Sequence, residues 1–129
     1  MLTTAIESDD TIIFMEPKRI YRAIKQEVPE EKFSIPIGKA KVLTEGTDVT
    51  IVAYGALIRE VQKAMILAKQ AGISVELIDL RTIYPLDKET IAKSVKKTGR
   101  IITVAEGPIS FGVGAEITAV VNEHAFLSL

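Results

Sequence analysis

The residues with the clearest potential for chemistry are Asp79 and Arg81, which interrupt an apolar run in VELIDLRTIYPLD, residues 75–87. The apolar run is typical of a strand that is covered on both faces of a sheet. Pro85 then keeps the preceding residue out of helical conformation, and Asp87 can cap the helix that follows. Sites and interfaces in open α/β sheets lie at the carboxyl ends of strands. Asp79 and Arg81 therefore either take part in chemistry or fix the exit from the strand.

A dinucleotide-binding site is one alternative at this edge of the sheet. It would require G-x-G-x-x-G after the first strand, because the backbone must approach a pyrophosphate closely. The first strand candidate ends in YGALIRE, residues 54–60, with Gly55 as its one glycine. Asp79 stands where a ribose-binding acid would lie, but the glycines are missing. The simpler interpretation is that Gly55 lets the chain turn and that Asp79 bonds nearby backbone or Arg81.

A second candidate is the glycine-rich segment that precedes the last helix. Gly107, Gly112 and Gly114 fall there, and the free N–H groups of a helix N-terminus can bind a phosphate. The same glycines could instead let the helix pack tightly against a strand or another subunit, which we favour. Glu106 and Glu116 could form an acid–base pair. An acid in the first helical turn, as Glu116 is, can also simply complement the helix dipole.

The remaining polar candidates do not combine into a catalytic set. His124 lies beside the apolar stripe of the last helix, and Ser94 and Thr98 are one helical turn apart without an acid or histidine nearby in sequence. No nucleophile, base and orienting group can be assembled, so we predict no catalytic, cofactor-binding or metal-binding residue. A basic cluster could grip a phosphate or acidic partner or be a solvated segment; it consists of Lys18, Arg19, Arg22 and Lys25, with Tyr21 among them.

The elements that position these residues follow a regular order from Ile37 onward. Strands and helices alternate, which predicts a parallel sheet with right-handed crossovers and helices on both faces. The predicted strands are 38–43, 48–55, 75–80 and 100–107, the last three of them buried, and the predicted helices are 57–68, 87–97 and one from 113 onward, with Gly72 and Gly99 as stops after the first two.

The N-terminal part follows a different pattern. Residues 2–7 could be the last turns of a helix, and TIIFM, residues 11–15, predicts a short apolar strand. A strand this apolar needs neighbours on both sides. Residues 25–36 are polar, contain two prolines and read as a linker. We therefore expect residues 1–24 to be a remnant of a preceding domain and residues 37–129 to form the main domain, with a sheet that is incomplete at its C-terminal end.

The overall composition excludes several classes of function. The 129 residues are 47% hydrophobic and 26% charged with a net charge of −1, so a real core is expected and there is no electrostatic case for nucleic acid. The chain has no cysteine and one histidine, which excludes disulfides, thiol chemistry and a His-rich metal site. No apolar run is long enough to span a membrane, and no secretory signal is present. A cytoplasmic location is the expectation.

Several stretches together carry a family resemblance that covers essentially the whole chain. TIIFMEPKRIYR, IPIGKAKV, EGTDVTIVAYG, DLRTIYPLD with SVKKTGR downstream, and FGVGAE succeed one another in this order. The chain thereby resembles the β subunit of the thiamine-diphosphate-dependent first component of 2-oxoacid dehydrogenase complexes, which act on pyruvate, branched-chain 2-oxoacids or acetoin. Residues 37–129 resemble its transketolase C-terminal-like domain, a three-layer α/β/α fold with a mostly parallel sheet.

The resemblance implies a role in assembly without chemistry in this chain. The family's cofactor-activating glutamate and active-site histidine have no counterpart here, so thiamine diphosphate and magnesium belong to the parent enzyme. The implied partners are the α subunit, a second β subunit and the lipoyl acyltransferase core, in the cytoplasm or, in a eukaryote, the mitochondrial matrix. Structural or interface roles then fall to Asp79, Arg81, Gly112, Gly114 and Glu116.

Two other classes of function stay open. The chain could be a stand-alone interaction module that pairs through the turn at residues 112–116 and through an unpaired sheet edge at residues 101–105, since open edges invite association. It could also be a domain that binds a small anion at the helix start near Gly114.

Overall fold

The structure is a computed structural model that describes residues 1–23, 25, 27–31 and 33–129. The chain divides into two compact units, Met1–Ile37 and Gly38–Leu129. The assignment of residues 1–24 to a preceding domain and of residues 25–36 to a linker stays a prediction. Three residues of those ranges, Ile24, Gln26 and Lys32, lie outside the described part.

The N-terminal unit contains little regular structure. A short helix, α1, spans Leu2–Ile6 as predicted, and a 3-10 helix spans Lys18–Ile20. The strand predicted at residues 11–15 was wrong, because these residues form no strand and both Ile13 and Met15 are largely exposed. A strand is stable only where its backbone groups pair with a neighbour, and no described residue pairs with this segment.

The C-terminal unit is built on a four-stranded sheet in the order β1-β3-β2-β4. The inner strands and β4 run parallel, whereas β1 is antiparallel to β3. A crossover helix joins β2 to its parallel neighbour β3, and a second one leads from β3 to β4 on the far side of β2, as the alternating pattern predicted. The strands are β1, Lys41–Thr44; β2, Val49–Ala53; β3, Val75–Asp79; and β4, Ile101–Val104.

Helices cover both faces of this sheet. They are α2, Leu57–Gln70; α3, Lys88–Thr98; and α4, Val113–Ala125, which continues into a 3-10 turn at Phe126–Ser128. Local signals explain their bounds: Asp87 caps α3, while Gly99 after α3 and Gly72 after α2 adopt positive φ angles of 68° and 76°.

Two apolar cores lie on the two sides of the sheet. Val52 and Ile78 pack with residues of α3 and α4, whereas Ile51 and Leu77 pack with Val61 of α2. Successive strand residues face opposite sides, so the continuous apolar runs of β2 and β3 supply both cores. The predicted three-layer α/β/α architecture with a mostly parallel sheet is thereby confirmed.

The strand at residues 100–107 differs from the prediction. It was expected to be buried, but β4 lies at the edge of the sheet and Ile102 is half exposed. Its β-branched composition indicates a strand but does not tell a central strand from an edge strand. Among the described residues, no helix is both long and apolar enough to cross a membrane.

Candidate functional site

The exit from β3 is held by a local hydrogen bond between the two residues that the sequence singled out. Asp79 Oδ1 accepts a hydrogen bond from the backbone N–H of Arg81 at 3.1 Å. Arg81 takes a positive φ of 60°, a conformation that few non-glycine residues adopt. Between them, the N–H of Leu80 donates to the carbonyl of Ala53 at 3.0 Å. The sequence left open whether Asp79 bonds nearby backbone or takes part in chemistry, and the structure shows a bond to backbone.

The environment of Asp79 shifts the ionisation of its carboxyl. Burial raises the pKa of its carboxyl above the ordinary value, and the hydrogen bond from Arg81 and the charges of Arg81 and Lys41 only partly offset this. Lys41 is the residue opposite Asp79 in the β1–β3 pairing. The carboxylate therefore orders the strand exit, and the role of Asp79 and Arg81 at a subunit interface stays a prediction.

The loop after β3 is tied back onto the start of the domain. Thr82 Oγ1 donates to the carbonyl of Pro85 and accepts from the N–H of Gly38, both at 3.1 Å. Gly38 has a φ of 77°, and a Cβ there would lie 2.9 Å from Pro85 Cγ. The Tyr84–Pro85 peptide bond is cis, and the ring of Tyr84 is almost fully exposed. The loop thus has a fixed backbone and an outward-pointing aromatic side chain.

Asp87 fixes the other end of that loop. Its Oδ1 accepts from the N–H of Thr90 at 3.2 Å, and its Oδ2 accepts from the Thr90 hydroxyl at 2.8 Å and from the N–H of Ala40 at 3.0 Å. Burial opposes the ionisation of Asp87, but these hydrogen bonds outweigh it and lower the pKa of the carboxyl below its ordinary value. The cap predicted for α3 is confirmed, and it also holds the residue before β1.

The glycine-rich segment after β4 packs closely against protein atoms. A Cβ on Gly112, the residue that precedes α4, would lie 2.1 Å from the carbonyl oxygen of Pro108. A Cβ on Gly114 would lie 3.2 Å from the hydroxyl oxygen of Thr103 in β4. Real non-bonded atoms do not approach as closely as 2.1 Å. The position of Gly112 therefore has no room for a Cβ atom, and only glycine fits there without a shift of the backbone. These contacts favour tight helix packing over phosphate binding, the two alternatives that the sequence left open.

The same segment exposes apolar side chains. Ile109 and Phe111 are almost completely exposed, and Phe111 has a positive φ of 61°. Both follow β4, and Tyr84 follows β3, so all three lie beyond the carboxyl ends of parallel strands. Phe111 thus combines a rare backbone conformation with full exposure, a combination that occurs at functional surfaces. We call Tyr84, Ile109 and Phe111 the carboxyl-end patch.

The other acids and the histidine are not brought into a catalytic arrangement. Glu116 lies exposed in the first turn of α4, where an acid complements the helix dipole. His124 Nε2 lies 3.5 Å from Glu123 Oε2, near the end of the same helix. Within the described ranges, no group of three or more His, Cys, Asp or Glu residues could hold a metal ion.

The basic cluster belongs to the N-terminal unit, where Tyr21 makes a hydrogen bond within that unit. The Tyr21 hydroxyl donates to Glu16 Oε2 at 2.5 Å, and this hydrogen bond raises the pKa of Tyr21. Lys18 and Arg19 lie in the 3-10 helix. This arrangement is typical of a solvated segment, so it adds no support for phosphate binding.

The sequence reasoning missed a polar cluster at the amino end of the sheet. Glu76 of β3 is 1% exposed, and its carboxylate accepts hydrogen bonds from Lys97 Nζ and, at 3.3 Å, from the N–H of Gly46. Lys97 also contacts Glu45, and these two hydrogen bonds raise the pKa of Lys97. An acid within an apolar, doubly covered strand was the available signal, since buried charges are normally paired.

Ser94 and Thr98 also have structural partners at this end. The hydroxyls of Thr98 and Thr50 lie 2.7 Å apart in the interior. Thr98 Oγ1 is in addition within hydrogen-bonding distance of the carbonyls of Ser94 and Arg100, at 3.2 and 3.0 Å. These hydroxyls join the end of α3 to β2, which accounts for Thr98 without chemistry.

Comparison with known proteins agrees with this fold. The family model described as "Transketolase, C-terminal domain" matches residues 38–129. Over all 129 residues, the chain is 57% identical to the pyruvate dehydrogenase E1 component subunit beta of Acholeplasma laidlawii and 46% identical to that of Bacillus subtilis (strain 168). It spans 39% and 40% of the length of those two relatives.

A solved structure shares the fold as well. The chain superimposes with a TM-score of 0.69 and 29% identity on a split-gene transketolase, described as an inactive β4 tetramer. The match covers 79% of this chain and 33% of that one. The chain therefore corresponds to about two fifths of its curated relatives and about one third of this solved one.

Proposed function

The chain belongs to the transketolase C-terminal domain family, and on this basis we propose that it is the subunit-assembly domain of the β subunit of a 2-oxoacid dehydrogenase first component. The parent reaction is the oxidative decarboxylation of a 2-oxoacid with transfer of the acyl group to lipoamide. The names of the relatives favour pyruvate as the 2-oxoacid. The proposed partners are the α subunit, a second β subunit and the lipoyl acyltransferase core.

The observation that carries the proposal is the carboxyl-end patch. Tyr84, Ile109 and Phe111 expose nearly all of their surface, while the backbone beneath them is held by Thr82 and by the close approach of Gly112 to Pro108. Aromatic side chains on a pre-ordered backbone lose little conformational freedom when a partner covers them. The patch therefore suits a permanent protein contact better than a solvent-exposed loop.

The polar residues support a role in assembly rather than in catalysis. Asp79 bonds backbone within its own strand exit, and Asp87 caps α3. Each carboxylate accepts a hydrogen bond from a backbone N–H group, which is a structural contact. No step of the parent reaction is therefore assigned to a residue of this chain.

A direct consequence concerns the cofactor of the parent enzyme. We expect the isolated chain to bind no thiamine diphosphate at micromolar concentration, with or without magnesium, because the resemblance gives the family's cofactor-activating glutamate no counterpart among these residues. Isothermal titration calorimetry with both present checks this expectation. A saturable heat with micromolar affinity would show that the domain itself contains a cofactor site.

A segment exchange tests the function as a whole. The matched segment of the Acholeplasma laidlawii β subunit, which is 57% identical along the whole chain, is replaced by this chain and co-expressed with the α subunit of that enzyme. We expect the chimera to assemble and to retain pyruvate-dependent activity within about tenfold of the parent, because the catalytic groups lie outside the exchanged part. A chimera that folds but does not bind the α subunit would contradict the proposal.

A further inference from the structure

One helix of the domain carries a concentration of positive charge. α3 contains four lysines and one acid, although the chain as a whole has a net charge of −1. Three of these lysines line one open groove of about 620 Å³, to which Ala92 of α3 and His124 of α4 also contribute. We call it the basic groove, and its lysines are Lys88, Lys93 and Lys96, all of them exposed.

The charges of the basic groove are not neutralised within the described part of the chain. Its three lysines form no ion pair with a described residue, whereas Lys97, the fourth lysine of α3, contacts two carboxylates at the amino end of the sheet. Glu89, the one acid of α3, lies 3.8 Å from Lys39. Lys93 adds a weaker attraction to Glu45, whose carboxylate is already bonded to Lys97. The groove therefore retains positive charge.

The positions of these lysines do not favour the helix that carries them. Lys88 is the first residue of α3, where the positive end of the helix dipole makes a cation unfavourable. Lys93 stands three residues before Lys96 and four before Lys97, so like charges are neighbours on the helix surface and repel one another. Local rules that a natural sequence breaks in this way are often broken at functional sites. The lysines therefore point to a ligand of opposite charge.

The spacing along α3 sets the size of that ligand. Lys88, Ala92 and Lys96 follow one another at intervals of four residues and therefore lie on one face of the helix. Lys88 and Lys96 are separated by about 12 Å along the helix axis. The small side chain of Ala92 leaves the space between them open. A single small anion cannot bridge that distance, whereas a row of carboxylates can.

We propose that the basic groove binds an acidic segment of a partner protein whose carboxylates extend over about 12 Å, the span from Lys88 to Lys96. A helix with acids at every fourth position presents them at this spacing on one face. Charge complementarity identifies the chemistry of the partner, because a row of cations attracts acids and repels other basic surfaces. The negative net charge of the chain speaks against a nucleic acid, whose long-range field acts on the whole molecule.

The basic groove differs from the carboxyl-end patch in position and in character. It runs along α3, which covers one face of the sheet, whereas the patch is apolar and lies beyond the ends of the strands. The proposal depends on the placement of charges along α3 and not on the proposed function. A groove that binds no acidic segment would therefore leave the segment-exchange result unaffected.

Fluorescence anisotropy with two labelled peptides tests the proposal on the intact chain. One peptide is helix-forming with a glutamate at every fourth position, and the other has the same composition with its glutamates clustered at one end. We expect the spaced peptide to bind saturably, about tenfold more tightly than the clustered one, and more weakly as salt rises, because salt screens exposed charges. Equal binding of the two peptides, no binding of the spaced one, or tighter binding of inorganic polyphosphate overturns the proposal.

Matched lysine substitutions test the location of the site. Lys88→Gln combined with Lys96→Gln removes two charges from the groove and should weaken binding of the spaced peptide by about tenfold or more. Lys63→Gln combined with Lys69→Gln removes the same charge from α2, on the opposite side of the sheet, and should change binding by less than about twofold. Thermal unfolding checks that both variants are folded. Equal losses in the two variants would show attraction without a site and overturn the proposal.

Discussion

At the residue scale, Asp79 and Arg81 stabilise the turn in the backbone that follows β3. Asp79 accepts from the N–H of Arg81, which occupies a positive φ that the bond helps to hold. The carboxylate acts here as a hydrogen-bond acceptor for backbone, and its negative charge is not required for that role. A substitution that keeps the accepting oxygen but removes the charge can therefore test this role.

We expect Asp79→Asn to be at least as stable as the natural chain at pH 7 and Asp79→Ala to be less stable than Asp79→Asn by about 1 kcal/mol, the value of one hydrogen bond. Asparagine keeps the oxygen that accepts from Arg81 and removes a charge whose burial raises the pKa of Asp79. Urea unfolding of the three proteins measures the differences.

The difference in stability between Asp79→Asn and the natural chain should depend on pH in a definite direction. The pKa of Asp79 is raised in the folded chain. Below the ordinary pKa of about 4, the carboxyl is therefore protonated in both the folded and the unfolded chain, and it does not change the free energy of unfolding there. As pH rises through the folded pKa, the cost of ionising a half-buried carboxyl lowers stability. The advantage of Asp79→Asn should therefore appear above about pH 4 and vanish below it; an advantage confined to acid would contradict this account.

At the element scale, the bounds of α3 and the burial of β2 and β3 were predictable, whereas the segment at residues 11–15 and the environment of β4 were not. The bounds of α3 depend on Asp87 and Gly99, whose effects are local and visible in the sequence. The segment at residues 11–15 has strand composition but no partner in the described chain, and strand formation depends on partners distant in sequence. For β4 the sequence left both a buried strand and an edge at residues 101–105 open, and the structure places it at the edge.

The position of the candidate site was predictable from the sequence, but its detailed geometry was not. The sequence located both the β3 exit and the glycine-rich segment, because they follow strands and break their patterns. It did not predict that Gly112 meets Pro108 or that Phe111 is exposed, since these depend on the path of one loop. The buried contact of Glu76 with Lys97 joins β3 to the end of α3 and needed knowledge of the tertiary packing.

The start of α4 provides the sharpest test at this scale. Gly112→Ala should lower the free energy of unfolding by about 1–3 kcal/mol, since its Cβ would collide with Pro108 and the loop must shift. Gly107→Ala is the matched control, because a Cβ there meets nothing within 4 Å, and it should change stability by less than about 0.5 kcal/mol. Chemical denaturation measures both, and equal effects would contradict the packing role of Gly112.

At the scale of the whole molecule, the domain separates an ordered interior from an apolar exterior end. The two cores enclose β2 and β3, polar clusters close the amino end of the sheet, and the carboxyl end carries the patch of Tyr84, Ile109 and Phe111. The proposed assembly with further subunits gives this surface a partner.

The molar mass of the complex formed by the segment-exchange chimera and its α subunit tests the central claim most directly. Light scattering should give the same mass, that of the assembled α and β subunits, for the chimera and for Phe126→Ser, a control at an exposed phenylalanine near the amino end of the sheet. Phe111→Ser should shift the mass to smaller species while the chimera stays folded. An unchanged mass for Phe111→Ser combined with Ile109→Ser would contradict the claim that this patch joins the subunits.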